Sequence, residues 1–326
     1  MEWGYFFYRV GQDISLALPP RFAYKIASLL ADLHYYSSRD ERVALFSNLK
    51  LITESSNKTK IRKLAKRTFR NFAKNLVDFF RFGLMDSRFF RRNVRIVGLE
   101  NVDEALRRNK GVLVATGHIG NWELGAIIMA QKGYALNAVT WRHGDPRLNQ
   151  LFTFQRQRKG VKVIPLGIAL RRCFQVLRDN ELVAVLGDRD FSEQGTQVRI
   201  SFFGNDFWVP RGPATLSLRT GATIVPGFTI REKGDLFTLY FEKPIEFNPS
   251  GKLEEDIQAL TQKILDVIRI YVERFPDQWF MFREFWEQQR LKNNGGRYLK
   301  RKAIISSQTN GAPTGKARGT LFYPDS

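Results

Sequence analysis

Short apolar segments alternate with segments of helical pattern from about residue 94 onward, and this alternation constrains the fold of the chain more than any other feature. Runs rich in valine, leucine and isoleucine predict strands, whereas apolar residues recurring every three or four positions predict helices. Strands joined by helices are typical of an α/β fold with a largely parallel central sheet flanked by helices. The predicted strands span 94–97, 112–115, 136–140, 161–164, 182–186, 223–230 and 236–241, and the predicted helices span 102–108, 121–132, 146–159, 168–179 and 253–274.

The N-terminal part of the chain has a different pattern, made of amphipathic helices. An apolar stripe at helical spacing begins at Phe6 and ends before Pro19, a second runs from Phe22 to Leu33, and a third helix over 58–82 mixes basic and aromatic residues. Packing against the rest of the protein explains such stripes, and so does a helix that lies in a membrane surface. We therefore divide the chain into an N-terminal helical, membrane-associating region over 1–92, an α/β domain over 93–290 and a basic, disordered tail over 291–326.

The strongly basic composition points to anionic partners. Lysine and arginine number 52 against 32 acidic residues in 326, which gives a net charge of +20. Such a surface attracts nucleic acid, acidic lipid headgroups, phosphorylated substrates or an acidic carrier protein. The single cysteine, Cys173, excludes an internal disulfide framework. Neither a signal peptide nor an uncharged apolar run of about 18 residues is present, so we expect no spanning helix.

The segment from Gly111 to Glu123 carries the first candidate for chemistry. A predicted strand ends at Gly117 and is followed by His118, with Glu123 five positions later. A histidine takes up a proton near neutral pH, and a carboxylate can orient it. On one continuous helix the two side chains would diverge by about 140°, so they meet only if His118 lies in the turn before the helix, where Gly120 gives conformational freedom. A structural strand-to-helix corner with an incidental histidine accounts for the same spacing.

A second charged cluster, Asp188, Arg189 and Asp190, follows the predicted strand 182–186. In open α/β sheets, binding sites form at the carboxyl ends of parallel strands. We therefore expect Asp188 to converge with His118. A strand-end turn rich in aspartate is also a common structural feature.

Two arginines, Arg156 and Arg158, lie near the end of a predicted helix, where they balance the helix dipole or clamp a phosphate. The chain has no phosphate-binding loop, no nucleophile elbow and no cysteine pair for zinc. A general base without a side-chain nucleophile suits direct attack by a hydroxyl of the substrate.

The segment Gly117-His-Ile-Gly-Asn-Trp-Glu123 resembles the His-x4-Asp/Glu motif of the lysophospholipid acyltransferase superfamily. In the identity of its individual residues, the segment is similar to the motif of the late acyltransferases of lipid A biosynthesis. The resemblance covers roughly residues 1–290, and later elements match in the same order. These are the arginine block at Arg156 and Arg158, the block Asp188-Arg189-Asp190-Phe191, Phe202-Phe203-Gly204, Thr220-Gly221-Ala222 and the segment from Pro276 to Trp286.

This resemblance implies transfer of a fatty acyl chain from acyl carrier protein or coenzyme A to a hydroxyl of a lipid A precursor or related glycolipid. It implies His118 as general base and Glu123 as its orienting partner. It assigns substrate binding or site assembly to Arg156, Arg158, Asp188 and Arg189. The acyl thioester is a co-substrate, and we expect neither a cofactor nor a metal.

The implied partners are an acyl carrier protein or coenzyme A thioester, a membrane glycolipid or phospholipid acceptor and an anionic membrane surface, without nucleic acid. We expect peripheral or monotopic attachment to the cytoplasmic side of a bacterial inner (plasma) membrane. Lipid A enzymes commonly have Asp-Gln-Asp where this chain has Asp188-Arg189-Asp190. This departure leaves open a lysophospholipid or phosphatidylinositol mannoside acceptor. A non-enzymatic alternative is a basic membrane- or nucleic-acid-binding module.

Overall fold

The computed structural model describes residues 2–141, 144–189 and 197–284, which form eleven α-helices and nine strands. The predicted tail over 291–326, together with Asp190 and Phe191, lies outside these ranges. The helices are α1 (Glu2–Ala17), α2 (Pro20–Ser37), α3 (Arg39–Ile52), α4 (Lys58–Arg81), α5 (Ser87–Asn93), α6 (Leu99–Arg107), α7 (Trp122–Gln131), α8 (Pro146–Gln157), α9 (Ala169–Arg178), α10 (Gly212–Thr220) and α11 (Leu253–Arg274). The strands are β1 (Val94–Val97), β2 (Val112–Thr116), β3 (Leu136–Thr140), β4 (Lys162–Pro165), β5 (Leu182–Leu186), β6 (Gln197–Phe202), β7 (Asn205–Pro210), β8 (Thr223–Arg231) and β9 (Phe237–Phe241).

Seven of these strands form one sheet in the order β1-β9-β8-β2-β5-β3-β4. Every neighbouring pair is parallel except β8 and β9, which are antiparallel. The prediction of an α/β fold with a largely parallel sheet is therefore confirmed. Strand β2 lies at the centre, and all five of its residues are buried, because helices cover both faces of the sheet.

The side chains of β2 alternate between the two faces, as a strand requires. Leu113 and Ala115 belong to a core cluster that includes residues of α9, α10 and α11. Val112 and Val114 belong to a second cluster, with residues of α6 and α7. The sheet is thus the middle of three layers, and its carboxyl edge is where loops and helix ends can form a site.

Two strands were not predicted from the sequence. No strand was expected between residues 186 and 223, but β6 and β7 form an antiparallel hairpin there. Its turn is made by Phe203 and Gly204, both at positive φ (51° and 72°). Phe202 and Phe207 are buried in the core on either side of that turn, so tertiary packing of two aromatic side chains stabilises the hairpin.

The N-terminal helices share a core with the α/β part. Helices α2, α3 and α4 enclose a cluster that also contains Phe280 and Phe282, while Phe79 and Phe80 of α4 belong to a cluster of the sheet. Helix α5 ends at Asn93 and β1 begins directly after it. The division into domains at residue 92 stays a prediction.

An apolar stripe remains exposed along α1 and α2. Among the described residues, no helix combines the length and the apolar character needed to span a bilayer. The side chains of this α1–α2 stripe, each 37–65% exposed, are Phe6, Phe7, Val10, Ile14, Leu16, Phe22, Ile26, Leu29, Leu30, Leu33 and Tyr36.

Candidate active site

His118 lies in a tight turn between the end of β2 and the start of α7. The turn depends on Gly120, which has a φ of +59° and whose Cβ, if present, would come within 2.0 Å of the Thr229 carbonyl oxygen. Asn121 then caps α7, because its side-chain oxygen accepts a hydrogen bond from the Leu124 amide at 3.0 Å. The predicted placement of His118 before the helix is confirmed.

Asp188 reaches the same place from the neighbouring strand. Thr116 and Leu186 are paired in the parallel register of β2 and β5, and His118 and Asp188 each follow two residues later. Asp188 Oδ1 lies 2.7 Å from His118 Nδ1, and Asp188 Oδ2 accepts a hydrogen bond from the His118 backbone amide at 2.9 Å. The expected convergence of the two strand ends is therefore confirmed.

The pair is largely buried. Asp188 is fully buried and the His118 side chain is 12% exposed. Asp188 Oδ2 also accepts a hydrogen bond from Trp279 Nε1 at 2.9 Å, and the ring of Trp122 lies edge-on to the imidazole with 5.1 Å between centroids. A Cβ at Gly117 would come within 3.1 Å of the Asp188 carboxylate carbon, so a larger residue here would press on this carboxylate.

The electrostatics keep the imidazole neutral and the carboxylate charged. Burial lowers the pKa of His118, the charge of Arg189 acts in the same direction, and Asp188 opposes both only in part. Burial alone would raise the pKa of Asp188, but its interactions with His118, Arg189 and Trp279 outweigh this effect and hold the pKa well below the ordinary value. An ionised aspartate beside a neutral histidine is the protonation state required of a general base and its partner.

Glu123 does not have the expected contact with His118. It lies in the first turn of α7, and its carboxylate is bound by both arms of Arg156 of α8, with Nε–Oε2 at 2.9 Å and Nη2–Oε1 at 2.6 Å. The interpretation of Glu123 as the partner of His118 is therefore corrected: the carboxylate on His118 is that of Asp188. The reason is topological, since the ring nitrogen Nδ1 faces the neighbouring strand β5 rather than the following helix.

Of the remaining predicted binding residues, some line the cleft beside His118 and one does not. Arg156, paired with Glu123, and Arg189 line the same cleft as His118. Arg189 is nearly buried and donates to the Phe280 carbonyl oxygen. Arg158 does not line the cleft; its guanidinium lies over the Phe154 ring, 5.4 Å from the centroid. Arg158 is thus separated from the site residues with which it was grouped.

The cleft has a volume of about 1560 Å³ and is open to solvent. Its lining is mainly apolar and also includes charged side chains, among them those of Glu123, Arg156 and Arg189. The Cys173 thiol on its wall is buried, and burial raises the pKa of this group to about 11, so the thiol is protonated at neutral pH. The apolar lining comprises Phe72, Leu76, Phe79, Trp122, Phe152, Val139, Leu166, Leu170, Leu186 and Leu216.

The segment 278–280 closes the site from behind. The Gly120 amide donates to the Gln278 carbonyl oxygen at 2.8 Å, and the Phe280 amide donates to the His118 carbonyl oxygen at 2.9 Å. Trp279 lies between these two contacts and binds Asp188. The sequence pattern singled out this segment for its resemblance, but it assigned no role to its residues.

Asn75 and Asp78 of α4 are further residues of the site that sequence reasoning missed. They contact Gly120 and Asn121, the two residues that follow His118 and Ile119. A signal was present, because Asp78 is the one acidic residue in the basic and aromatic sequence of α4. A lone carboxylate between Val77 and Phe79 indicates a charged group in an apolar environment, and such a group requires hydrogen-bond partners.

Comparison with known proteins identifies a family that the chain matches. A family model described as bacterial lipid A biosynthesis acyltransferase matches residues 1–288. A phosphatidylinositol mannoside acyltransferase of Mycobacterium tuberculosis (strain CDC 1551 / Oshkosh) is 31% identical over 214 residues, which is 64% of this chain and 65% of that protein. The match thus spans slightly less than two thirds of that relative.

Two other relatives extend the comparison. A phosphatidylinositol mannoside acyltransferase of Mycolicibacterium smegmatis is 27% identical over 68% of this chain and 72% of its own length. A lipid A biosynthesis acyltransferase of Haemophilus influenzae is 21% identical over 60% of each chain.

Proposed function

The chain belongs to the bacterial lipid A biosynthesis acyltransferase family, and on that premise we propose that it transfers a fatty acyl chain from an acyl thioester to a hydroxyl of a membrane glycolipid. The observation that carries this proposal is the pair of His118 and Asp188 beside a large, mainly apolar cleft. A buried histidine held by a carboxylate suits proton abstraction from a hydroxyl, and the apolar walls suit a lipid chain.

In the proposed reaction, the Nδ1–H group of His118 donates a hydrogen bond to ionised Asp188, so Nε2 is the nitrogen that takes the proton of the acceptor hydroxyl. The hydroxyl oxygen forms a bond to the thioester carbonyl carbon, and the carbonyl oxygen becomes an oxyanion. When the oxyanion collapses, the carbon–sulfur bond breaks and the thiolate leaves. The imidazolium then gives its proton to the thiolate, which releases a thiol and restores neutral His118. Asp188 stabilises the imidazolium between these two steps.

We assign Arg156 to an anionic group of the substrate. Its guanidinium lies in the wall of the cleft and is fixed in direction by the bidentate contact with Glu123. A guanidinium held in this way binds phosphate, or a developing oxyanion, at a small entropic cost. Glu123 thus acts in this proposal on Arg156 rather than on His118.

For the acceptor, a mannosylated phosphoinositide is favoured over a lipid A precursor. The observation is the higher identity to the two phosphatidylinositol mannoside acyltransferases, 31% and 27%, than to the lipid A acyltransferase, 21%. Both acceptors are phosphorylated glycolipids with free hydroxyls, so the chemistry assigned to His118 is the same for either one.

We further propose that the α1–α2 stripe attaches the protein to the surface of an anionic membrane, on the cytoplasmic side. Two adjacent helices with exposed phenylalanine and leucine side chains, in a chain of net charge +20, have the features of interfacial helices.

Attachment can be tested with vesicles of phosphatidylglycerol and phosphatidylcholine. Replacing Leu29, Leu30 and Leu33 together by serine is expected to reduce the bound fraction in sedimentation by about tenfold or more, because each leucine loses its apolar contact with lipid. The matched control replaces Leu236, Leu253 and Ile270, which are similarly exposed outside the stripe. Equal losses in both variants would contradict attachment through α1 and α2.

The function is tested by acyl transfer itself. Labelled acyl chains on acyl carrier protein and on coenzyme A are offered with phosphatidylinositol mannosides, a lipid A precursor, a lysophospholipid and a polar-lipid extract. The wild-type protein should produce a labelled lipid whose mass identifies the acceptor, and His118→Ala should produce none while unfolding at the same temperature. Label transfer by His118→Ala at the wild-type rate would remove His118 from the mechanism. If the wild-type protein is folded and membrane-bound but labels no lipid, the result would favour the alternative of a non-enzymatic binding module.

A further inference from the structure

A buried charged cluster lies directly behind the His118 turn. Its centre is Asp78 of α4, which is completely buried and does not line the cleft. Its carboxylate accepts hydrogen bonds from Tyr24 of α2, from Arg231 of β8 and from Asn121 Nδ2, the last at 2.8 Å. Three donors from three separate parts of the chain thus meet on one carboxylate.

The contact with Asn121 determines which way the side-chain amide faces. A carboxylate only accepts hydrogen bonds, so the amide nitrogen must face Asp78. The amide oxygen therefore faces the other way and caps α7 at the Leu124 amide, 3.0 Å away. The Asn121 backbone amide is bound as well, to the Thr229 carbonyl oxygen at 2.7 Å. The side-chain nitrogen, the side-chain oxygen and the backbone amide of Asn121 thus each have a hydrogen-bond partner, and these partners fix the orientation of the side chain.

The adjacent residue is held from the same helix. Asn75, one turn before Asp78, donates from Nδ2 to the Gly120 carbonyl oxygen at 2.7 Å, and its own oxygen accepts from Arg231 at 2.9 Å. Arg231 thereby joins Asn75 and Asp78 into a single network. Helix α4 fixes two consecutive residues of the turn that carries His118.

We propose that Asp78 is a positioning residue for acyl transfer, holding the His118 turn in its reactive geometry through Asn121. The proposal rests on the proposed function of His118. Asp78 is too deeply buried to contact substrate, and its effect is on the direction of the imidazole. Displacing a reacting group by about 1 Å lowers a rate by up to about 10²-fold, so a residue behind the turn controls the rate without contacting either substrate.

The test separates the link to Asp78 from the cap on α7. Asn121→Ser keeps a good N-cap residue and leaves the contact between Asp78 and Arg231 in place, but it cannot cap the helix and reach Asp78 at once. We expect kcat to fall by about 10-fold to 10²-fold, with KM and the unfolding temperature little changed. The control is Asp103→Asn, which alters another carboxylate bonded to a tyrosine hydroxyl, that of Tyr134, and it should keep wild-type kcat.

An exchange of side chains provides the rescue. Asp78→Asn alone leaves Arg231 with Asp235 as its one carboxylate partner among the described residues, and Asn121→Asp alone places two carboxylates together, so each should lose activity. The double variant Asp78→Asn, Asn121→Asp restores one amide–carboxylate hydrogen bond with donor and acceptor exchanged. It should recover most of the kcat that Asn121→Asp loses. A merely structural role for Asp78 would change the unfolding temperature but would leave kcat per folded molecule unaltered.

A readout independent of turnover completes the design. In protein labelled with ¹⁵N-histidine, the hydrogen-bonded Nδ1 proton of His118 should be sharp in the wild type and in Asp103→Asn, and broadened or shifted in Asn121→Ser. If Asn121→Ser keeps both the wild-type kcat and the wild-type signal, Asp78 does not position His118. If the wild type transfers no acyl chain, the proposed function fails, and the signal alone still decides whether Asp78 orders the turn.

Discussion

At the scale of single residues, the chemistry of the candidate site depends on how the Asp188 carboxylate is satisfied. It accepts from the His118 backbone amide, from Trp279 and from the imidazole itself. Two of these contacts fix the carboxylate, so that its remaining oxygen is aimed at Nδ1 of His118. An orienting group that is itself immobile keeps the imidazole in one tautomer and one direction.

Asp188→Asn should therefore leave the geometry nearly intact and remove the function. The amide can no longer stabilise the imidazolium, and it favours the wrong tautomer, so kcat should fall by about 10³-fold or more. Glu123→Gln should cost much less, since Glu123 contacts Arg156 instead. Single-turnover rates of the two variants check the order, and an equal or larger loss in Glu123→Gln would show that His118 is oriented by Glu123 during the reaction.

The pH dependence follows from the same environment. Burial, together with Arg189, lowers the pKa of His118 below the ordinary value of 6.5. The base form is lost as pH falls through that lowered pKa, so the acid limb of kcat/KM should have its midpoint below 6.5. In Asp188→Asn the midpoint should move lower still, because Asp188 is the group that raises this pKa. A midpoint above neutrality in the wild type would contradict the neutral histidine.

At the scale of elements, the site is held by a contact between two consecutive helices that lie on either side of β3 in the sequence. Glu123 and Arg156 join α7 to α8, and both side chains are largely buried, at 19% and 12% exposed. Their bidentate geometry fixes the distance between the two helices on one side of the cleft. The pair of Glu123 and Arg156 thus connects α7 to α8 and also forms part of the cleft wall.

Arg156→Lys tests this double role. Lysine keeps the charge but cannot form the bidentate contact, so the KM for an anionic substrate should rise by about tenfold, with a smaller change in kcat. Arg269→Lys serves as control, because the pair of Arg269 and Glu273 lies exposed on α11. Initial rates over a range of substrate concentrations separate the two constants. An unchanged KM would mean that Arg156 does not bind the substrate.

The order of the elements could be predicted because strands and helices have different periods, and all seven predicted strands are present. The convergence of His118 and Asp188 could also be predicted, since parallel strands bring their carboxyl ends together. The carboxylate that contacts His118 was not predicted: the family resemblance implied Glu123, whereas Asp188 reaches His118 from the end of the neighbouring strand β5. Trp279 and Asp78 were missed because only the folded chain brings them to the turn.

At the scale of the whole molecule, one continuous cleft passes beside His118. Its walls come from the N-terminal helices, from the carboxyl edge of the sheet and from α9 and α10. A volume of about 1560 Å³ exceeds that of pockets for a single small ligand, which are about 300–1,000 Å³. In the proposed reaction, such a volume leaves room for the acyl donor and the acceptor to bind together.

Steady-state kinetics should accordingly be sequential. Because the hydroxyl attacks the thioester directly in the proposed reaction, double-reciprocal plots at several acceptor concentrations should intersect, and protein incubated with donor alone should retain its mass. Cys173, protonated because burial raises its pKa to about 11, is a poor nucleophile. Parallel lines, or a protein that gains the mass of an acyl chain, would indicate a covalent intermediate instead.

The contacts of the segment 278–280 also have a consequence for the order in which the site forms during synthesis. The Gly120 amide, the His118 carbonyl oxygen and the Asp188 carboxylate each have a hydrogen-bond partner in these three residues. On the ribosome, β2, α7 and β5 emerge long before that segment does. The chain can form its sheet early, but the pair of His118 and Asp188 lacks these hydrogen bonds until residue 280 has left the exit tunnel. We therefore expect a nascent chain to be folded in part and still inactive in the proposed acyl transfer.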